Sequence, residues 1–82
     1  MIRFRLKELI AEKEFQESRR ITLEEVAKAT DVHRTTLSKV SNQKGYNTTT
    51  DVLDKLCEYF KVELGDLAEH IKEETEGGSN VE

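Results

Sequence analysis

The stretch VAKATDVHRTTLSKVSN, residues 26–42, holds most of the side chains in this sequence that have something to offer a partner. His33, Arg34, Thr35 and Thr36 follow one another directly after Val32, a poor opening for a helix whose only task is burial. At helical spacing, Arg34, Thr35, Ser38 and Lys39 lie on the face opposite Leu37 and Val40. A guanidinium fork, two hydroxyls and an ammonium on one strip form a set of hydrogen-bond donors. The opening of such a helix adds unpaired backbone N–H groups and a partial positive charge. The local field agrees: no Asp or Glu occurs between Asp31 and Asp51, while His33, Arg34, Lys39 and Lys44 all fall in that window. This chemistry suits a phosphate-rich partner; the plainer alternative is a solvated loop.

No other set of residues competes with it. Cys57 stands at helical spacing between Leu53 and Phe60, where a thiol acts as a small buried hydrophobe. Glu8 with Glu12, and Asp51 with Asp54, are helix neighbours on what reads as a solvated face. No serine or histidine is placed to serve them, and there is no glycine-rich phosphate loop, so no enzyme is expected. A lone cysteine offers neither a disulfide nor a zinc pair, and His33 and His70 are too distant to suggest one. No metal and no cofactor are expected.

The elements that position the strip are helical almost throughout. Leu6, Leu9, Ile10 and Lys13 follow i, i+3, i+4, i+7 spacing, with the Lys13 stem along the apolar edge. Before them, Ile2-Arg3-Phe4-Arg5-Leu6-Lys7 alternates with period two, a short strand candidate that needs a partner. EFQESRR, residues 14–20, reads as a polar connection. Thr22 and Glu25 form a capping box opening a helix over residues 23–30, which Asp31 ends in a turn conformation. A third helix covers about residues 34–41. NQKGYNTTT is turn-rich and offers Thr48 and Thr49 as N-caps for a fourth helix over residues 50–60. A fifth spans about residues 64–71, with Leu67 and Ile71 inward. Tyr46 is expected to pack on the core.

Composition bounds the rest. Eighty-two residues, 35% hydrophobic and 37% charged, make one small domain with a compact core. The net charge is −4, unevenly spread: residues 1–50 hold ten Lys/Arg against seven Asp/Glu, and residues 51–82 hold three against ten. Residues 73–82, EETEGGSNVE, lack apolar periodicity and are expected to be a disordered acidic tail beyond a domain of residues 1–72. With no membrane span and no secretory pattern, a soluble cytoplasmic chain is expected.

Two short helices joined by a tight turn make a helix-turn-helix, whose second helix enters the major groove of DNA. Residues 26–42 resemble the helix-turn-helix of the XRE family, the phage Cro and repressor-like DNA-binding domains. The resemblance rests on Thr22, Val26-Ala27, Val32, Leu37, Ser38 and Asn42, and TTTDVLDKLCEYFKVELGDL is similar to the family's last two helices. It implies an all-α, five-helix domain with a central helix-turn-helix, here with the strand candidate added. By that resemblance, Arg34, Thr35, Ser38 and Lys39 read bases, and His33, Thr36, Asn42 and Lys44 touch phosphate. Arg34 suits guanine O6/N7 and the Thr35 methyl suits thymine. His33, at a helix N-cap, is more readily a local cap than a contact. Leu23, Asp31 and Gln43 stand where the family has glutamine, the turn glycine and a second glycine. A longer connection after the first helix brings Arg19 and Arg20 beside Thr22, adding three backbone candidates.

The implied function is a sequence-specific transcriptional regulator on double-stranded DNA, working as a homodimer on a pseudo-palindrome, without a small-molecule ligand domain. The strand candidate and the apolar side of the fifth helix are the two surfaces for self-association. The strand is preferred, because a symmetry mate would supply its missing partner. The alternative is a protein-interaction or antitoxin-like module on the same fold, using its acidic C-terminal region.

Overall fold

A computed structural model describes residues 1–72, to which all structural statements refer. In chain order the elements are β1 (Ile2–Phe4), α1 (Leu6–Glu17), α2 (Leu23–Thr30), α3 (Arg34–Asn42), α4 (Thr50–Phe60), α5 (Leu64–Leu67) and β2 (Ala68–His70). The domain is therefore all-α with a two-stranded ribbon at one side. The core is Leu6, Ile21, Val26, Val32, Leu37, Val40, Leu56 and Leu67, with Phe4, Leu9, Ile10, Tyr46, Leu53 and Phe60 packed around it. Every helix and both long connections contribute to that list, so the helix-turn-helix is held from all sides.

The helix ends follow from local chemistry. Thr22 Oγ1 accepts the Glu25 N–H at 3.1 Å, and Thr49 Oγ1 accepts the Val52 N–H at 3.2 Å. Of the two threonines offered as caps before α4, Thr49 is the one used. The capping box expected at Thr22 is only half formed, because the Glu25 carboxylate turns outward to Arg19. Three helices stop on a residue in the left-handed region: Ser18 (φ 55°), Asp31 (φ 60°) and Lys61 (φ 58°). Asp31 thus does the work of the glycine usual at that turn, a conformation Asp tolerates better than most side chains. Thr30, buried beside it, donates its hydroxyl to the Val26 carbonyl at 2.7 Å.

Three sequence expectations need correction. Residues 14–17 belong to α1, not to the connection, which starts at Ser18. Glu14 is tied into the fold, its Oε2 accepting the Ile21 N–H at 2.8 Å. The fifth helix is one turn long, not two. After Leu67 the chain extends as β2 and pairs antiparallel with β1, in the register Ile2↔His70, Arg3↔Glu69, Phe4↔Ala68. Three hydrogen bonds outside the strands extend this ladder: Arg5 N–H to Leu67 O at 2.7 Å, Ile71 N–H to Met1 O at 2.8 Å, and the Met1 amino group to Ile71 O at 3.2 Å. The strand that lacked a partner finds it sixty-six residues along its own chain, in the Arg3–Glu69 pair. Cross-strand charge pairing explains the choice, since Arg3 and Arg5 both bind the Glu69 carboxylate. A helical continuation would have turned Glu69 away from them.

The acidic tail expected at residues 73–82 lies outside the described residues. Among the described residues, no helix is long and apolar enough to cross a membrane.

Candidate nucleic-acid interface

α2 and α3 pack against each other through Val26, Val32, Leu37 and Val40, which fixes the turn between them and turns the remaining face of α3 outward. Leu37 is fully buried and Val40 is 3% exposed, whereas Arg34, Thr35 and Lys39 are exposed. Ser38 and Thr36 are half-buried, on the two flanks of the helix. Arg34, Thr35, Ser38 and Lys39 accordingly form one outward strip, as their spacing predicts. Asn42 continues it by one turn, its Nδ2 donating to the Ser38 carbonyl at 3.0 Å. The same nitrogen donates to Ser38 Oγ at 3.5 Å, so Asn42 braces the end of α3 and the Ser38 hydroxyl together.

The N-terminus of α3 is open. His33 occupies the N-cap position but its side chain makes no capping hydrogen bond, contrary to the cap role expected of it. The first-turn N–H groups of α3 thus have no side-chain cap from His33, which is exposed beside Arg34. Donors at an exposed helix N-terminus face a partial positive charge of the helix itself, a setting that favours an anion.

The charges divide sharply. Ion pairs engage Arg3, Arg5, Lys13, Arg19 and Lys55. Among the described residues, none engages Arg34, Lys39 or Lys44, and none engages Arg20. Arg19 binds Glu25 through both terminal nitrogens, one of them at 2.9 Å, and Glu17 through Nε at 2.9 Å. These contacts, Glu25 first, raise the Arg19 pKa further and hold the Glu25 carboxyl below its ordinary value. Thr22 sits beside them, exposed, its hydroxyl oxygen occupied as a cap acceptor and its hydrogen still available to donate. Lys44 projects from the connection between α3 and α4, in which Gly45 takes φ +69° beside Met1, where a Cβ would come 3.7 Å from Sδ. Tyr46 packs on the core as expected.

The structure adds residues that the motif does not reach. Arg3, Arg5 and Lys7 lie with Asn42, Gln43 and Lys44 around one groove of about 660 Å³ between β1 and the end of α3. Nearly forty residues separate these two walls in sequence, so the motif gives no hint of their meeting. The available signal was three cations at alternate positions in the strand candidate. Phe15 on α1, 82% exposed, is another feature that periodicity passed over.

The remaining reactive groups read as structure. Cys57 is half-buried against the core, and burial pushes its thiol pKa up, away from a nucleophilic thiolate. Among the described residues, no cluster of three or more His, Cys, Asp or Glu is placed to hold a metal ion.

A one-turn connection between two packed helices, an outward strip of donors on the second, and uncompensated cations along it define a helix-turn-helix DNA-binding domain. The family comparison is more particular. Residues 5–73 match the Cro/C1-type HTH DNA-binding domain, and the chain belongs to that family. No curated protein and no solved structure is matched.

Proposed function

We propose that this chain is a sequence-specific transcriptional regulator that reads the major groove with α3, as a homodimer on a pseudo-palindromic site. Membership of a DNA-binding family carries the general part. The particular observation behind the finer part is the uncompensated strip on α3. Arg34 supplies a bidentate fork for guanine, Lys39 a single ammonium donor, and Thr35 and Ser38 small groups for neighbouring base edges. His33, Thr36, Asn42 and Lys44 hold the phosphates that flank the strip, and Arg20 and Thr22 do so from the start of α2. Arg19 joins them by exchanging Glu25 for a phosphate. No catalytic step is assigned to the chain.

Dimerisation enters because one such helix reads only a few base pairs, while a two-fold dimer reads two half-sites about 34 Å apart. With the inner edge of β1 already paired within its own chain, the surface preferred for self-association is the apolar side of α5, where Leu64 is 54% exposed. Selection of bound duplexes from a random pool tests the reading directly. The expected product is a palindromic consensus with half-sites one helical turn apart. Recovery of no consensus, or of a single unrepeated half-site, would overturn the specific and the dimeric parts respectively.

A further inference from the structure

β1 is an edge strand whose outer side is open. Its inner ladder is fixed by the odd residues, since Met1, Arg3 and Arg5 face Ile71, Glu69 and Leu67. In an antiparallel pair these alternate with residues whose N–H and C=O point the other way, here Ile2 and Phe4. Among the described residues, no other hydrogen bond engages those groups. The groove described above touches every residue from Met1 to Arg5, so it runs along this open edge rather than under one face of the strand. Its rim carries Arg3 and Arg5, which meet Glu8 and Glu69, and Lys7 and Lys44, which meet no carboxylate among the described residues.

A second copy fits the edge poorly. The antiparallel register that engages both Ile2 and Phe4 pairs each with the other in the second copy. It thereby sets the two Arg3 side chains directly opposite, an unfavourable cross-strand pair. An acidic extended segment has the complementary charge, and the chain carries one. Residues 73–82 hold four glutamates and no Lys or Arg. They follow Lys72, directly after Ile71, which lines the groove and is hydrogen-bonded to Met1. Five residues of strand span about 17 Å at about 3.3 Å per residue. Ten residues reach about 33 Å when extended, enough to turn past Met1 and follow the whole edge.

We propose that the acidic segment of residues 73–82 docks along the open edge of β1, in the groove between β1 and the end of α3. Asn42 and Lys44 form the far wall of that groove. Resting on the DNA-binding reading above, the docked segment occupies the place of a phosphate strand and competes most with DNA that makes few base contacts. Specific sites, with more contacts, displace it more readily.

Hydrogen exchange of the Ile2 and Phe4 amides in the full chain, without DNA, tests the docking. The comparison is with the triple substitution Glu73→Gln, Glu74→Gln, Glu76→Gln. The expected result is slower exchange in the unsubstituted chain by about tenfold at low salt, lost in the triple variant or at high salt. Equal exchange in the two chains would overturn the docking. Protection that grows with protein concentration would also overturn it, in favour of a second copy. Affinity for a random-sequence duplex tests the competition and should rise several-fold in the triple variant. If amide protection is lost while that affinity is unchanged, the segment docks without competing and the second half of the proposal falls. A chain that never binds DNA would remove the DNA-binding reading and leave the amide result standing.

Discussion

The two sides of this domain treat their cations in opposite ways. On the ribbon, α1 and the connection after it, Arg3, Arg5, Lys13 and Arg19 each meet a carboxylate, Lys7 and Arg20 being the exceptions, and Lys13 also lies 4.9 Å from the centre of the Tyr59 ring. On α3 and the connection after it, Arg34, Lys39 and Lys44 are exposed, with no carboxylate partner among the described residues. The first arrangement spends charge inside the molecule: exposed pairs add a little stability and hold two distant segments in register. The second leaves charge for something outside. A basic balance alone would not have separated them, since both sides are rich in Lys and Arg. What distinguishes them is where the acidic residues fall, and in α3 the sequence places none.

Leu37 shares α3 with the uncompensated strip but belongs wholly to the core. Leu37→Ala removes a fully buried side chain. It should cost about 2–5 kcal/mol, a large share of the stability of a domain this small. Thermal melts should show the loss, and DNA binding should fail only where the chain is unfolded. A variant that melts normally would mean that Leu37 is not the anchor of the helix-turn-helix.

Arg34→Ala, three residues away, should behave inversely. It removes an exposed group with no partner in the fold, so stability should change by no more than about 0.5 kcal/mol. Affinity for the selected site should fall by about 1–3 kcal/mol, with relaxed discrimination at one base pair per half-site. Binding curves on matched and singly mismatched duplexes measure both. Full affinity in the variant would place the reading edge elsewhere.

The same contrast separates what the sequence made legible from what it hid. The bounds of α2 and α4, the Asp31 turn and the strip on α3 were readable because short-range rules decide them. These are threonine caps, a residue tolerant of positive φ, and apolar spacing of three and four. The family motif sharpened the same region. Whatever depended on distant pairing was hidden. Ile71 was expected inside a helix because Leu67 and Ile71 are four apart. The ribbon overrides that local pattern with backbone pairing to Met1 and a shared carboxylate for Arg3 and Arg5. The groove between β1 and residues 42–45 was invisible for the same reason. Glu25 was expected to complete a capping box, but an arginine four residues before α2 was the stronger partner.

Arg19 sits where the two regimes meet, and Glu25→Gln frees its terminal nitrogens from their carboxylate. In the folded chain the Glu25 carboxyl titrates below its ordinary value, chiefly because Arg19 donates to it. A carboxyl depressed on folding contributes stability above its unfolded pKa, and the contribution is lost as pH falls through the folded value. Urea midpoints of the unsubstituted chain should therefore drop as the pH is lowered from neutral through the ordinary carboxylate range and below. Glu25→Gln should start slightly lower at neutral pH and lose less on acidification, by a small margin because the pair is exposed to solvent. Its effect on DNA should have the opposite sign. With its main carboxylate neutralised, the guanidinium keeps Glu17 at Nε while its two terminal nitrogens become available to a phosphate. Affinity for the selected site should then rise by less than about tenfold, and should depend more steeply on salt as one further counterion is released. An unchanged affinity would assign Arg19 to the fold alone, and the phosphate contacts at the start of α2 would reduce to Arg20 and Thr22.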